Sequence, residues 1–465
     1  MSFAPREAAT APAASPRAAE FEHPLRAFAL LAAVFLAAAA CTTSTPAPQP
    51  NLLLVVIDDL GVEGLRSYGG EHYETPNLDA LAGRGVRFER AFATPMCVPS
   101  RAELITGQYP FRSGWSQLGG SEAEPKTALS PALPSVARSL REAGYATAVA
   151  GKWHLAPLDS MRSHPHELGF DTYRLWRQTS AKGRYWSPSI LENGVARDDL
   201  ARPDVYGPDS FTDFVLEFIE QNRDRPWFVY YPMILAHRPF VPTPATARSA
   251  EEARLRGKPE GFTDNREQVA YADATVGRLW AEVERLGLAD RTFLLVTSDN
   301  GTDSRTAVLR GGRRIPGGKF HLDESGAVVP LLVRGPAVRE GAVASSLVDF
   351  TDFLPTLLEL AGAAPPEPST TDGRSFAGAL RGQDPAKRRE WAYVQFGEGW
   401  FLSDGRFRLQ SDGRFFDAAG WPERPPKLLR KRLPPEAAAA REHLEAARRE
   451  LRGEEATPPS RSSAR

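Results

Sequence analysis

Cysteine is nearly missing from this chain: of 465 residues, only Cys41 and Cys97 are cysteines. A disulfide framework is thereby excluded in any compartment, since such scaffolds rest on several pairs. Neither sign of charge is in excess, with 57 Lys plus Arg against 58 Asp plus Glu and a formal net charge of −1. That balance excludes a global electrostatic pull toward nucleic acid or an anionic membrane. Internal repeats are absent, which argues against a solenoid or a propeller. No apolar run reaches the roughly 20 residues that a membrane-crossing helix needs. What remains is 42% hydrophobic and 25% charged, which suits a globular protein with a large core. The length fits one large domain with a smaller one beside it, or two to three domains.

The N-terminal stretch reads as an export segment. Residues 1–24 are rich in Ala and Pro, and Arg26 then precedes an apolar run from Ala27 to Ala40 that ends in Cys41. A basic residue, a short apolar stretch and small residues before the break form a signal-peptide pattern. Ala38-Ala39-Ala40-Cys41 resembles a bacterial lipoprotein box, departing from it at Ala38, where that box usually has Leu. The resemblance implies that Cys41 carries a lipid and anchors the protein to a membrane at a bacterial cell envelope, facing the periplasm. A cleaved secretion signal with an incidental cysteine and a retained helix are the other readings. Residues 42–50 read as a flexible tether.

Downstream, strand-like and helix-like patterns alternate. Asn51 to Ile57 is a continuous apolar, β-branched run, as a strand buried on both faces requires. Further strands are expected at Val86 to Ala93, Tyr145 to Ala150, Trp227 to Leu235 (interrupted by Pro232), Phe293 to Ser298 and Ala327 to Val333. Helices are expected at Leu78 to Arg84, Pro134 to Ala143, Phe211 to Gln221, Tyr271 to Leu286 and Phe350 to Ala361. Alternation of this kind predicts an α/β fold, with helices on both faces of a large, mostly parallel sheet. After about residue 375 the texture changes. Short strand-like pieces separated by Asp404-Gly405 and Asp412-Gly413 predict a small antiparallel sheet, packed with an Ala/Arg/Glu-rich helix from Pro435 to Arg452. The expected organisation is a signal and tether over 1–50, a main domain over 51–375, a C-terminal subdomain over 376–452 and a disordered tail over 453–465.

Asp58-Asp59, Lys152 to His154, His237 and Asp299-Asn300 all fall just past the C-terminal ends of expected strands. Ligands bind at that edge of open α/β sheets, so four polar clusters from distant parts of the chain converge on one place. The segment Cys97-Val98-Pro99-Ser100-Arg101 opens a further helix, with Pro99 in its first turn and Gly107 at its end. Cys97 then sits at a helix N-terminus, where free N–H groups and the dipole favour anions. Arg101 lies one turn on, on the same face. A nucleophile beside a guanidinium at such a place suits attack on a tetrahedral oxyanion. The plain alternative is a buried cysteine ahead of a proline-started helix.

Cys97-x-Pro99-Ser100-Arg101, with Leu104, Thr106 and Gly107 behind it, resembles the signature of the formylglycine-dependent sulfatases, arylsulfatase-like members of the alkaline phosphatase superfamily. The resemblance covers about residues 50–375 and, more weakly, the C-terminal piece. It implies that a maturation enzyme oxidises Cys97 to formylglycine. The hydrate of that aldehyde offers one hydroxyl as nucleophile and keeps a second to expel sulfate afterwards. Asp58, Asp59, Asp299 and Asn300 are hard oxygen ligands that suit Ca²⁺, with Mg²⁺ the other choice, rather than Zn²⁺. By the resemblance the ion is Ca²⁺, with the oxygen at position 97 completing its shell. Lys152 neutralises sulfate charge, and His154 is the base that deprotonates the remaining hydroxyl. His237 and Lys319 hold sulfate and assist the leaving oxygen. His321 is a weaker candidate, being close to Lys319; the other histidines receive no role.

One segment departs from the family pattern. Where Glu-Gly-Gly-x-Arg-Val-Pro is common, this chain has Glu324-Ser325-Gly326-Ala327-Val328-Val329-Pro330, without the Arg. The difference bears on substrate specificity more than on sulfate binding. The stretch from Arg174 to Trp186 and the one following Arg238 are expected to line the pocket mouth, where aromatic and Arg side chains suit a sugar or aryl group. A sulfated small molecule or polysaccharide is the expected substrate. Two other readings stay open: a phosphonate or phosphate ester hydrolase of the same superfamily, and a non-catalytic lipoprotein that binds sulfated glycans.

Overall fold

The structure is a computed structural model that describes residues 49–118, 128–178, 183–248, 251–252, 264–365, 367, 370–383, 389–430 and 432–452. The expected export segment, the lipid site at Cys41 and the tail after residue 452 lie outside the described residues. No helix among the described residues is long and apolar enough to cross a membrane.

In chain order the strands up to residue 349 are β1 Asn51–Ile57, β2 Val86–Phe92, β3 Ala146–Gly151, β4 Thr172–Trp176, β5 Ile190–Glu192, β6 Val195–Ala196, β7 Trp227–Pro232, β8 Thr292–Ser298, β9 Ala307–Arg310, β10 Arg313–Pro316, β11 Val328–Val329, β12 Leu331–Arg334 and β13 Ala342–Asp349. All but β9 and β10 join one sheet in the order β11-β2-β12-β8-β1-β7-β3-β4-β5-β6, with β13 beside β2. Its centre, β8-β1-β7-β3-β4, is parallel. On its flanks β11, β12, β5 and β6 pair antiparallel while β13 runs parallel to β2, which makes a large mixed sheet around the expected parallel centre.

β1 shows why the centre forms. Its residues alternate between two cores, as the period of two demands. Leu52, Leu54 and Val56 face one layer, with residues of the helices Cys97–Thr106, Val136–Glu142 and Phe353–Ala361. Leu53, Val55 and Ile57 face the other, with residues of the helices Pro76–Gly83, Gly207–Gln221 and Arg266–Arg285. In Gly207–Gln221 the buried Phe211, Phe214, Val215, Phe218 and Ile219 recur at helical spacing on one stripe, the pattern of a helix laid on a sheet.

Several boundaries differ from the sequence reading. The strand expected from Ala327 to Val333 begins with a helical turn, Glu324–Ala327, and Pro330 splits the rest into β11 and β12 because it has no N–H for the ladder. The helix expected from Tyr271 starts at Arg266. β13, with its mixed Ala-Val-Ala-Ser-Ser pattern at the sheet edge, was not anticipated from periodicity at all.

The C-terminal strands β14 Ala392–Phe396, β15 Gly399–Ser403, β16 Phe407–Gln410, β17 Phe415–Asp417 and β18 Lys427–Leu429 form an antiparallel sheet in chain order. One face packs on the helix Pro435–Arg452 through Ala437, Leu444 and Ala447. The other packs on the main body, with Val394 and Phe401 against Val62, Phe92 and Val328.

Candidate active site

Because β3, β7, β1 and β8 run parallel, their C-terminal ends open on one edge, and the register Ile57↔Ser298 sets Asp58 level with Asp299. The helix Cys97–Thr106 brings the nucleophile candidate to the same edge. It follows Met96, whose backbone is extended, and ends at Gly107 with φ 65°, a left-handed cap that glycine adopts without strain. Every residue of the helix is buried. Ser100 holds its start, accepting from the Thr94 amide at 2.9 Å and reaching the Met96 carbonyl at 3.2 Å. Gly151, at φ 106°, opens the Lys152–His154 loop. A Cβ there would lie 2.2 Å from the Pro232 carbonyl oxygen, the group that accepts from the Lys152 amide at 2.7 Å.

The structure brings Asp58, Asp59, Cys97, Arg101, Lys152, His154, His237, Asp299, Asn300 and Lys319 together. Lys152 Nζ donates to Asp58 Oδ2 at 2.6 Å, and Lys319 Nζ to Asp59 Oδ1 at 2.5 Å. Arg101 donates to Asp299 Oδ2 through Nε at 3.0 Å and Nη2 at 2.6 Å, and through Nη1 to the Lys152 carbonyl at 3.1 Å. Asn300 Nδ2 donates to Asp59 Oδ1 at 2.8 Å. Cys97 Sγ stands 3.5 Å from His154 Nδ1. Asp59 and His154 hold φ of 61° and 59°, and Phe320, next to Lys319, holds 72°. Strain of this kind in non-glycine residues persists where surrounding structure enforces it.

Burial and charge set the protonation states. Burial alone would raise the Asp59 carboxyl, but Lys319 and His237 outweigh it and bring it down to about 2. Asp58 is likewise held below its ordinary value, with Lys152 overcoming burial. Burial pushes His154 well below the usual histidine range, and Lys152 and Arg101 push it further. It is therefore neutral at neutral pH and able to accept a proton. Burial also lowers His237, to about 4, despite Asp59 and Asp58. Lys319 is raised, the pull of Asp59 exceeding the cost of burial.

Asp58 Oδ1, Asp59 Oδ2 and Asn300 Oδ1 are buried and have no hydrogen-bond partner. Buried acceptors are rarely left so, and orphans that converge mark a place for an ion. Ligand atoms of Asp58, Asp59 and His237 lie within 4.8 Å of one another. Asp299 is already engaged, Oδ2 by Arg101 and Oδ1 by the Asp59 amide at 3.2 Å. Its remaining lone pairs leave it able to ligate. The oxygen-rich donor set fits a hard divalent cation.

Arg184 and Trp176, within the stretch expected at the pocket mouth, do reach this place, and further residues join them. Arg184 contacts His237 Nδ1 and the Arg238 carbonyl through Nη1, and stacks over Trp176 with its guanidinium 4.3 Å from the ring centre. Asp303 takes Arg238 Nε at 2.5 Å. Asp303 lies only four residues past Asp299, but a lone Asp in a polar loop carries no distinguishing signal. Trp153 Nε1 donates to His164 Nδ1 at 3.0 Å, and His164 Nε2 meets the Leu129 carbonyl at 2.7 Å. A histidine without an assigned chemical role thus steadies the Lys152–His154 loop. One expectation fails: Arg174 is not at the pocket mouth but buried, paired with Glu192 at 2.7 Å and bonded to the Ser210 carbonyl.

The family model for sulfatases matches residues 50–363. The chain is 31% identical to the steryl-sulfatase of Mus musculus over 449 residues, covering 78% of this chain and 70% of that protein. Among solved structures, one in complex with its substrate D-glucosamine-2-N,6-O-disulfate superposes with a TM-score of 0.69 at 20% identity, covering 87% of this chain and 98% of that one. The phosphonate monoester hydrolase of Agrobacterium radiobacter shares the fold at a TM-score of 0.62 and 22% identity, over 87% of this chain and 96% of that one. The family match spans all the site residues named above, and with it the chain belongs to the sulfatase family and is a sulfuric ester hydrolase.

Proposed function

We propose that the chain removes sulfate from sulfated carbohydrates, using formylglycine made from Cys97 and a divalent cation, Ca²⁺ by choice, held by Asp58, Asp59, Asp299 and Asn300. The observation that carries this reading is the set of buried, unpartnered oxygens on Asp58, Asp59 and Asn300. They share one site with Cys97, which starts a fully buried helix 3.5 Å from a neutral His154. Hydrated formylglycine supplies a hydroxyl nucleophile and a second hydroxyl for release, and the cation lowers the cost of ionising the first. Asn300 Oδ1 is a better partner for a hard cation than the His237 imidazole, so His237 Nε2 is left to face the substrate. Its Nδ1 is tied back to Arg184.

Charge suits a sulfate ester. Asp58, Asp59 and Asp299 are matched by Arg101, Lys152 and Lys319. A divalent cation then leaves room for two negative charges, one for an ionised hydroxyl and one for a singly charged ester. Arg184, in contact with His237, adds one further positive charge at the same place, so charge count by itself does not separate a doubly charged phosphate monoester from a sulfate ester. Phosphonate monoesters carry a single charge, and a phosphonate monoester hydrolase shares the fold, so phosphonate hydrolysis is the second reading. Matched sulfate and phosphonate esters, turned over side by side, separate the two. Crystallised neighbours in complex with D-glucosamine-2-N,6-O-disulfate and with a neocarrahexaose support a carbohydrate substrate. The export segment ending at Cys41 supports an anchored location at a bacterial cell envelope.

The test is the mass of the tryptic peptide Ala91 to Arg101 from protein co-expressed with a formylglycine-generating enzyme. Loss of the sulfur at position 97 is expected; a retained thiol in active protein would sink the mechanism. Cys97→Ala should abolish turnover while leaving the thermal midpoint within a few degrees, because one small side chain carries few contacts.

A further inference from the structure

The chain between the Asp299–Asn300 loop and Lys319 makes an excursion, the ribbon β9–β10, that the reaction does not require. Arg305, Arg310, Arg313 and Arg314 crowd into it. Arg310 is engaged by Glu423 and the Tyr68 carbonyl, and Arg313 by the Glu423 carbonyl. The side chains of Arg305 and Arg314 meet no hydrogen-bond or ion-pair partner among the described residues and are exposed. With His72, Asp264, Arg266, Ala307 and Leu309 they line a cleft of about 320 Å³. Arg266 is paired with Asp264 at 2.7 Å. Among the described residues that line it, three guanidiniums stand against one carboxylate, and burial keeps His72 from adding charge.

A hydrogen-bond path links the wall of this cleft to the active site. The Arg305 amide donates to Asp303 Oδ1 at 2.8 Å, and Asp303 Oδ2 holds Arg238, the residue after His237. One buried carboxylate therefore lies between the two concavities. Apolar Ala307 and Leu309 beside free guanidiniums suit a sugar ring that carries an anionic group. We infer that the cleft is a second anion subsite, taking a further sulfate or carboxylate of an extended polyanionic glycan whose scissile sulfate lies at Cys97. This rests on the carbohydrate sulfatase reading and extends it from a single sulfated sugar to a multiply charged chain.

The experiment uses the full matured chain with 4-nitrophenyl sulfate as a small substrate and dextran sulfate as a polyanionic competitor. In Arg305→Ala/Arg314→Ala, the concentration of dextran sulfate that halves turnover should rise roughly fivefold, as two exposed charge contacts allow, and the rise should fade in high salt. kcat/KM for 4-nitrophenyl sulfate should stay unchanged. A control pair, Arg223→Ala/Arg285→Ala, removes the same charge from exposed positions at the opposite edge of the sheet and should leave inhibition as in the wild type. Equal loss in the control pair, or unchanged inhibition in the cleft pair, overturns the inference while the sulfatase reading stands. If the wild type hydrolyses no sulfate ester, the underlying reading fails instead. Fluorescence anisotropy of labelled dextran sulfate, with neutral dextran as reference, then decides the cleft by the same comparison of variants.

Discussion

Glu63 offers a test of the local electrostatics that is independent of turnover. It sits in a helical turn, Val62–Gly64, just after the Asp58-Asp59 loop. It is 1% exposed, and neither carboxylate oxygen has a hydrogen-bond partner. Burial dominates, Arg310 offsets it only in part, and the group is raised from 4.5 to about 7. A carboxyl raised in the folded state keeps its proton after the unfolded chain has lost its own. The folded state therefore binds more protons between pH 4.5 and about 7, and stability falls with rising pH across that window, levelling off above it. At about 1.4 kcal/mol per unit, the shift costs roughly 3 kcal/mol above pH 7. Glu63→Gln keeps the shape and cannot ionise. The variant should match the wild type near pH 4.5 and exceed it by roughly 3 kcal/mol at pH 8. Urea unfolding of both proteins at the two pH values measures this, read as the difference in midpoint at constant slope. A gain that is the same at both pH values, or larger at the acid one, would refute the reasoning.

Two further outcomes follow from buried groups. Stripping divalent cations with a chelator should lower the thermal midpoint, and Ca²⁺ at about 100 times its dissociation constant should restore roughly 2.7 kcal/mol; a midpoint indifferent to both would mean that the orphaned oxygens of Asp58, Asp59 and Asn300 do not hold an ion. Arg389→Met leaves Asp349 and Asp352 buried without their cation and should cost about 3–5 kcal/mol in urea unfolding; a loss below 1 kcal/mol would show that the pair is not worth what its burial implies.

The parallel centre was readable because strands buried on both faces must be apolar throughout, as Asn51 to Ile57 is. The site's edge followed, since polar clusters directly after such strands have one place to go. The flanks were not readable. β5 and β6 are three and two residues long, and β13 mixes Ala, Val and Ser without a clear apolar face on a half-exposed edge, so none has a period distinct from that of a loop. Arg174 illustrates the limit at single residues. Its segment reaches the site through Trp176 and Arg184. Arg174 shares the face of Trp176 in β4 but lies two residues further from the strand's C-terminal end, held by Glu192, the Ser210 carbonyl and Phe214; a strand's alternation gives the face of a residue, not how far along the strand the site begins. Lys319 escapes that ambiguity because Phe320 bonds back to the Pro95 carbonyl and the Lys319 amide to the Thr302 carbonyl, pinning it between the nucleophile's approach and the metal loop despite the altered segment behind it.

The direction of Cys97 is decided at both ends of its helix. At the start, Ser100 and Thr94 fix the entry of the chain. At the far end, Glu103 is buried among Asp349, Asp352 and Asp372, and burial with those neighbours drives it well above the ordinary carboxyl range. Kept neutral, it adds no repulsion to a cluster in which Arg389 pairs with Asp349 and Asp352 and Arg112 with Asp372. The Arg389 guanidinium donates to Asp352 at 2.8 Å, to the Tyr109 hydroxyl at 2.8 Å and to the Asp372 carbonyl at 3.1 Å. Tyr109 lies two residues past the helix cap, and Arg389 leads into β14. A helix with no solvent-facing turn cannot fray to relieve a misfit at its first residue. The C-terminal sheet therefore bears on the nucleophile without touching it, by holding the last turn of the helix that presents it.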